Sequence, residues 1–275
     1  MSAVRGSVPS PSQAMNRSVG LNSTGGSSLA ATPSDRRHGS LVASASRTTE
    51  VAQMGTFVTS DTIQFIVPIP NTTQVWSGEE RGWIRVRDQS TGDVLHQHHF
   101  KQGRQITAMT LSSDSRIVWI GHGDGAISAF DAEKRTPVAE LQFHEAEVTG
   151  LSVANSFQRL VSCGKDGRIV VWDEATMKCI GCAEVREGAL LDVVCDDAEG
   201  QIFAGCSDGT IRTASLGAQL LPVVLSGYSS PVVRLHLADQ HLWGGAEDGS
   251  IKVWNVRSPA NDCIRTLNEH RSPIV

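Results

Sequence analysis

Cys163-Gly164-Lys165-Asp166-Gly167-Arg168-Ile169-Val170-Val171-Trp172-Asp173, led into by Arg159-Leu160-Val161-Ser162, sets an Asp-Gly pair between two short apolar runs. Such a pair predicts a hairpin, because glycine supplies the positive φ that a tight turn between twisted strands requires. The phrase returns as Gly121-His122-Gly123-Asp124-Gly125-Ala126-Ile127, Gly205-Cys206-Ser207-Asp208-Gly209-Thr210-Ile211 and Ala246-Glu247-Asp248-Gly249-Ser250-Ile251, with a looser copy at Gly78-Glu79-Glu80-Arg81-Gly82-Trp83-Ile84. The Asp-Gly pairs at Asp124, Asp166, Asp208 and Asp248 lie 42, 42 and 40 residues apart. A period of that length marks stacked supersecondary units that together present a surface.

Working outward from each hairpin, another strand-like run precedes it, at Ile106 to Leu111, Val148 to Val153, Leu190 to Cys195 and Val232 to Leu237. A fourth follows, as at Met177 to Ile180 and Ile264 to Leu267. Four strands per repeat make one small antiparallel sheet.

Asp166 to Asp173, Asp248-Gly249-Ser250-Ile251-Lys252-Val253-Trp254-Asn255 and Asp124-Gly125-Ala126-Ile127-Ser128-Ala129-Phe130-Asp131 resemble the tryptophan-aspartate (WD) repeat β-propellers, over roughly Thr56 to Val275. The resemblance implies an all-β propeller of four-stranded antiparallel blades, five of them present with the start of a sixth. It also implies a hydrogen-bond set of His, Ser or Thr, turn Asp and Trp, matched in full by His144, Ser162, Asp166 and Trp172. The other blades depart from it, with Gln102, Ile120, Asp124 and Phe130, then Arg186, Ala204, Asp208 and Ala214, then Tyr228, Gly244, Asp248 and Trp254. Arg81 stands for the turn Asp and Arg87 for the Trp in the first. Blades of unequal stability are expected, since an unpaired buried polar group costs about 1–3 kcal/mol.

A chain of 275 residues with 40% apolar content suits one large soluble repeat domain. Five of six tryptophans fall at recurring blade positions, Trp76, Trp119 and Trp243 on second strands and Trp172 and Trp254 on third strands, and are expected to pack the blades. Residues 1–50 carry five Arg against Asp35 and Glu50, leaving −8 of the total charge of −5 on the remainder. An acidic body argues against nucleic acid, whose binding rests on phosphate neutralisation. The six cysteines fall at irregular spacing within or beside strands, as free thiols of a reducing compartment would, and Cys179-Ile180-Gly181-Cys182 has no second pair with which to hold zinc. No apolar run approaches the ~20 residues that cross a bilayer. An intracellular, soluble protein without membrane insertion is the expectation.

Residues 1–55 are rich in Ser, Thr, Gly and Ala and are expected to form a disordered tail ahead of the 56–275 propeller, having too little apolar surface to offset ordering entropy. Ser10-Pro11, Thr32-Pro33 and Arg36-Arg37-His38-Gly39-Ser40 offer candidate phosphorylation at Ser10, Thr32 and Ser40.

Catalytic chemistry is absent from the motifs. No phosphate-cradling glycine loop occurs, and His144-Glu145-Ala146-Glu147-Val148 has Val where a zinc-protease helix needs its second His. His96, His98 and His99 read as a solvated strand face, and no metal or cofactor is expected. What the resemblance implies instead is a docking face, formed by the turns between second and third strands and the loops leading into first strands. It would carry Glu80, Arg81, Gln102, Arg104, His122, Glu145, Lys165, Arg186, Glu187, Ser207, Ser229 and Glu247. Their mixed charge suits protein or peptide partners, hence a non-catalytic scaffold or adaptor.

His144, Arg186, Tyr228 and His270 advance in steps of 42, so His270 opens a sixth unit and Ile274 takes the place of Val148. Three arrangements are open. The chain is the front of a longer polypeptide, which the sequence favours; a partner chain completes the ring; or five blades close on themselves, with Val51 to Thr59 as a last outer strand. Val75-Trp76-Ser77-Gly78 and Val118 to Gly125 also resemble the propeller that precedes the catalytic domain of some inositol polyphosphate phosphatases. That likeness implies an alternative role as the regulatory front of an enzyme.

Overall fold

The computed structural model describes residues 61–101, 104–185, 188–216, 223–257, 262–270 and 272–274. The 1–55 tail, Ser10, Thr32, Ser40 and the 51–59 strand proposal lie outside the described residues. Five four-stranded antiparallel sheets follow one another in sequence, all within the compact unit 51–275. The first blade comprises β1 (Ile63–Pro68), β2 (Gln74–Glu79), β3 (Trp83–Asp88) and β4 (Val94–His99), and the second β5 (Ile106–Leu111), β6 (Ile117–His122), β7 (Ala126–Asp131) and β8 (Pro137–Gln142). The third has β9 (Val148–Ala154), β10 (Arg159–Gly164), β11 (Arg168–Asp173) and β12 (Lys178–Glu184), and the fourth β13 (Leu190–Asp196), β14 (Gln201–Cys206), β15 (Ile211–Ser215) and β16 (Val223–Leu225). The fifth has β17 (Val232–Ala238), β18 (His241–Ala246), β19 (Ile251–Asn255) and β20 (Cys263–Leu267). The hairpins predicted from Asp-Gly are the β2–β3-type turns, where Gly167 adopts φ 76°.

Side-chain alternation along the second strands builds the core between blades. The third residue of each points forward, so Trp76, Trp119, Val161 and Phe203 each enter the next blade's surface. Residues two and four point back, as Leu160 and Ser162 do. One apolar cluster fills each of the four junctions, and a Leu or Phe so buried contributes about 1.5–3 kcal/mol. Trp243 is the exception to the expected packing. It occupies the same register but is 37% exposed, because no blade covers the fifth among the described residues.

Hydrogen bonds at repeating separations tie the blades together. Thr107 Oγ1 donates to Val148 O at 2.6 Å and Thr149 Oγ1 to Leu190 O at 2.8 Å. On the side of the sheets away from the Asp-Gly turns, Arg135 reaches Gln74, Ser113 reaches Glu174 and Arg257 reaches Asp196, three pairs each 61 residues apart. No helix among the described residues is long and apolar enough to cross a membrane.

Candidate functional site

Connectivity puts every β2–β3-type turn and every loop leading into a first strand on one side of the sheets. Backbone contacts hold them together there: Lys165 N–H donates to Glu147 O, Ser207 N–H to Ala189 O and Glu247 N–H to Pro231 O, each at 2.9 Å. Each turn also abuts the loop leading into the next blade. A Cβ on Gly125 would lie 2.5 Å from His144 O, which is why that position tolerates only glycine.

Seven of the twelve expected face residues have exposed or half-exposed side chains free to meet a partner or held in surface ion pairs. Arg81 is 80% exposed and Glu80, Ser229 and Glu247 also protrude. Lys165 pairs with Glu147 at 2.6 Å and Glu145 with Arg168 at 2.8 Å. Arg104 is held more firmly, its Nε 2.7 Å from Asp124 and its Nη1 2.9 Å from Glu140. Ser207 is half-buried and serves the fold, its Oγ accepting Ala189 N–H at 2.9 Å. Gln102, Arg186 and Glu187 lie outside the described residues.

His122 does not belong to the face. It ends β6 with its ring on the backward side, fully buried, 2.8 Å from Ser128 Oγ and against Phe100 at 4.4 Å between ring centroids. Sequence reasoning placed it by proximity to the turn and missed that strand alternation still governs the strand's last residue.

Behind the face, each blade braces its turn differently. In the third, His144 Nδ1 lies 3.0 Å from both Asp166 oxygens, His144 Nε2 lies 2.8 Å from Ser162 Oγ, and Trp172 Nε1 donates to that hydroxyl at 2.9 Å. In the first, Arg87 Nη1 donates to Ser77 Oγ and to buried Glu79, both at 3.1 Å, so the Arg in the Trp position keeps the donor role. Arg85 also pairs with Glu79. In the fourth, Asp208 takes Arg212 at 2.6 Å. The fifth substitutes Tyr228, whose hydroxyl donates to Gly244 O at 2.5 Å. Blades that depart from the His-Ser-Asp-Trp pattern thus carry other polar partners, but only in part: among the described residues, buried His122 Nδ1 in the second, Arg212 Nε in the fourth and Trp254 Nε1 in the fifth have no hydrogen-bond partner, whereas every member of the third blade's set has one. Sequence could have signalled the first blade, since Arg87, Ser77 and Glu79 are all legible on facing strands.

Burial lowers the His122 imidazole to about 4 and holds His144 below its ordinary value, against the opposing pull of Asp166. Burial acts upward on Asp166, but the bonds from His144 and from the Glu145 and Arg168 N–H groups outweigh it and leave the carboxyl depressed. All three shifts have one sign: the folded state binds protons less readily than the unfolded chain. Stability is therefore complete above the unfolded histidine value of about 6.5 and falls as pH drops toward 4, with Asp166 adding to the loss below that. Urea midpoints measured across this range should fall for the native chain and fall less for His122→Gln; equal slopes would refute the assignment to His122.

Burial pushes the Cys195 thiol up to about 12 and the Cys163 thiol higher still, so both are inert. Among the described residues no group of three or more His, Cys, Asp or Glu is placed to hold a metal ion. His98 packs instead against Phe100 and Phe130, with ring centroids at 4.9 and 5.1 Å.

Comparison with known proteins agrees with this geometry. Residues 135–173 match the model of the WD domain, G-beta repeat family. WD repeat-containing protein 55 of Arabidopsis thaliana is 20% identical over 71% of this chain and 56% of its own length. DENN domain-containing protein 3 of Mus musculus is 29% identical over 44% of the chain and 10% of its own length. The chain thus spans little more than half of one relative and a tenth of the other. Among solved structures, the crystal structure of RRP9 WD40 repeats superposes with a TM-score of 0.67 at 20% identity, covering 73% of this chain and 62% of that one.

Proposed function

Because this chain is a WD-repeat β-propeller protein, we propose that it is a non-catalytic scaffold that captures protein or peptide partners on the face formed by its Asp-Gly turns. The observation that supports this reading is the protrusion on one side of Arg81, Glu145, Lys165 and Glu247, side chains of both signs carried by three different blades. Such a mixed, rigidly mounted surface selects by charge complementarity and suits a polypeptide better than a polyanion. Intracellular residence and a tail that tethers or regulates belong to the same reading.

Arg81→Glu, Lys165→Glu and Glu247→Lys together should abolish co-purification of partners from cell extract. Thermal stability should stay within about 0.5 kcal/mol of the native chain, as for most surface changes. Undiminished capture by the triple variant would remove this face from consideration. A second reading places the propeller as one module of a larger multidomain protein. It is favoured by the match to DENN domain-containing protein 3, of which the similar segment is one tenth. The size of the native protein in extract separates the two.

A further inference from the structure

The forward side of the fifth blade is built to be covered. Trp76, Trp119, Val161 and Phe203 are at most 1% exposed, whereas Trp243 in the same register is 37% exposed. A small residue two positions further along seats the first residue of the next inner strand: a Cβ on Gly121 would lie 2.8 Å from Val148, and one on Gly205 would lie 2.6 Å from Val232. On Gly245 that seat is taken by Ile274, again at 2.6 Å, and Ile274 N–H reaches Ala246 O at 3.4 Å. The connecting segment keeps the usual path as well, since a Cβ on Gly249 would lie 2.8 Å from both His270 O and Ser272 O. A blade-to-blade junction has therefore begun to form, in the register of the other four.

Its chemistry differs from theirs. Cross-strand pairing puts Arg234, His236, Val253 and Arg265 on the Trp243 side, where the fourth blade has Asp192, Val194 and Thr213. Arg234, His236 and Arg265 are all exposed. In the fourth blade Asp192 Oδ2 accepts the N–H of Leu235 at 2.8 Å, which identifies the residue facing that position across a junction. With Arg234 in place of Asp192, the polarity is reversed. Cations covered by a neighbour need carboxylates opposite them, because desolvated charge without a partner opposes docking.

We propose that the forward side of the fifth blade docks a four-stranded blade arriving through the strand that Ile274 opens, with an apolar centre over Trp243. It carries a carboxylate in the place of Leu235, over Arg234, and another on its outer strand, facing Arg265. This surface is distinct from the turn face and independent of the function proposed for it.

The test extends the chain after Ile274 with a copy of its own third blade, residues 149–189, since Val148 is the counterpart of Ile274. Two versions are compared, one unmodified and one with Leu151→Glu and Cys182→Glu in the copy, positions that lie opposite Ser162 and Val170 on its backward side. The readout is acrylamide quenching of Trp243, isolated by difference from Trp243→Phe, with resistance to trypsin read in parallel as the check on folding of the added blade. Loss of Trp243 quenching with the acidic blade only, restored by Arg234→Glu with Arg265→Glu in the host, is the expected result. Equal protection by the unmodified blade, protection that survives charge reversal, or no protection by either version would overturn the proposal. So would concentration-dependent protection of Trp243 in the unextended chain, which would make a second copy the occupant.

Discussion

Trp172→Ala is expected to lower the unfolding free energy by about 4 kcal/mol, within the range for deleting a buried aromatic side chain together with the cavity that remains. Trp172 is almost wholly buried in the junction between the second and third blades, where Trp119, Val148 and Leu160 share its cluster. Its ring meets Phe143 edge-on with centroids 6.1 Å apart. Trp172→Phe separates packing from hydrogen bonding: it keeps most of the apolar contact and removes only the Nε1 donor to Ser162. Because Ser162 Oγ retains His144 as a partner, that variant should lose only about 1 kcal/mol. Urea unfolding of both variants checks the ordering. A loss under about 1 kcal/mol for alanine would show that the junction does not depend on this side chain.

Gly244→Ser should destabilise the fifth blade by about 2 kcal/mol although serine occupies the same place in the third, as Ser162. A Cβ on Gly244 would lie 2.5 Å from the Tyr228 hydroxyl, which already bonds Gly244 O and accepts Lys252 N–H at 3.1 Å. Tyr228→His alone should cost a similar amount, since the smaller ring vacates the space over Gly244 and leaves Lys252 N–H without that acceptor. Made together, the two changes place His and Ser beside Asp248 and Trp254 and should cost less than either alone, a coupling of about 3 kcal/mol. Strict additivity in a double-mutant cycle, read by thermal or urea unfolding, would contradict the idea that Tyr228 and Gly244 exchange as a unit for His and Ser.

How much of the site was legible follows from where each residue sits. Turn residues such as Lys165 and Glu247 could be assigned to a surface because a hairpin tip has nowhere else to go. His122, one position before such a tip, could not, because whether its ring follows the strand or the turn depends on where the last ladder pairing falls, which is Ile106 opposite His122. Trp243 was misread for a different reason. Its register matches Trp76 and Trp119, but burial depends on a neighbouring sheet that local sequence does not encode.

From sequence alone came the element type, the period and the turn positions, all consequences of short-range physics: alternation with period two, positive φ at glycine and a repeat near 42 residues. Tertiary structure decided which polar residues brace the blades that lack the full set, since whether the Tyr228 hydroxyl of one loop meets Gly244 O and Lys252 N–H depends on how that loop packs on its sheet. It also decided which forward-pointing side chains are covered. A side chain's burial is the property of two sheets, and one sheet's sequence specifies only half of it.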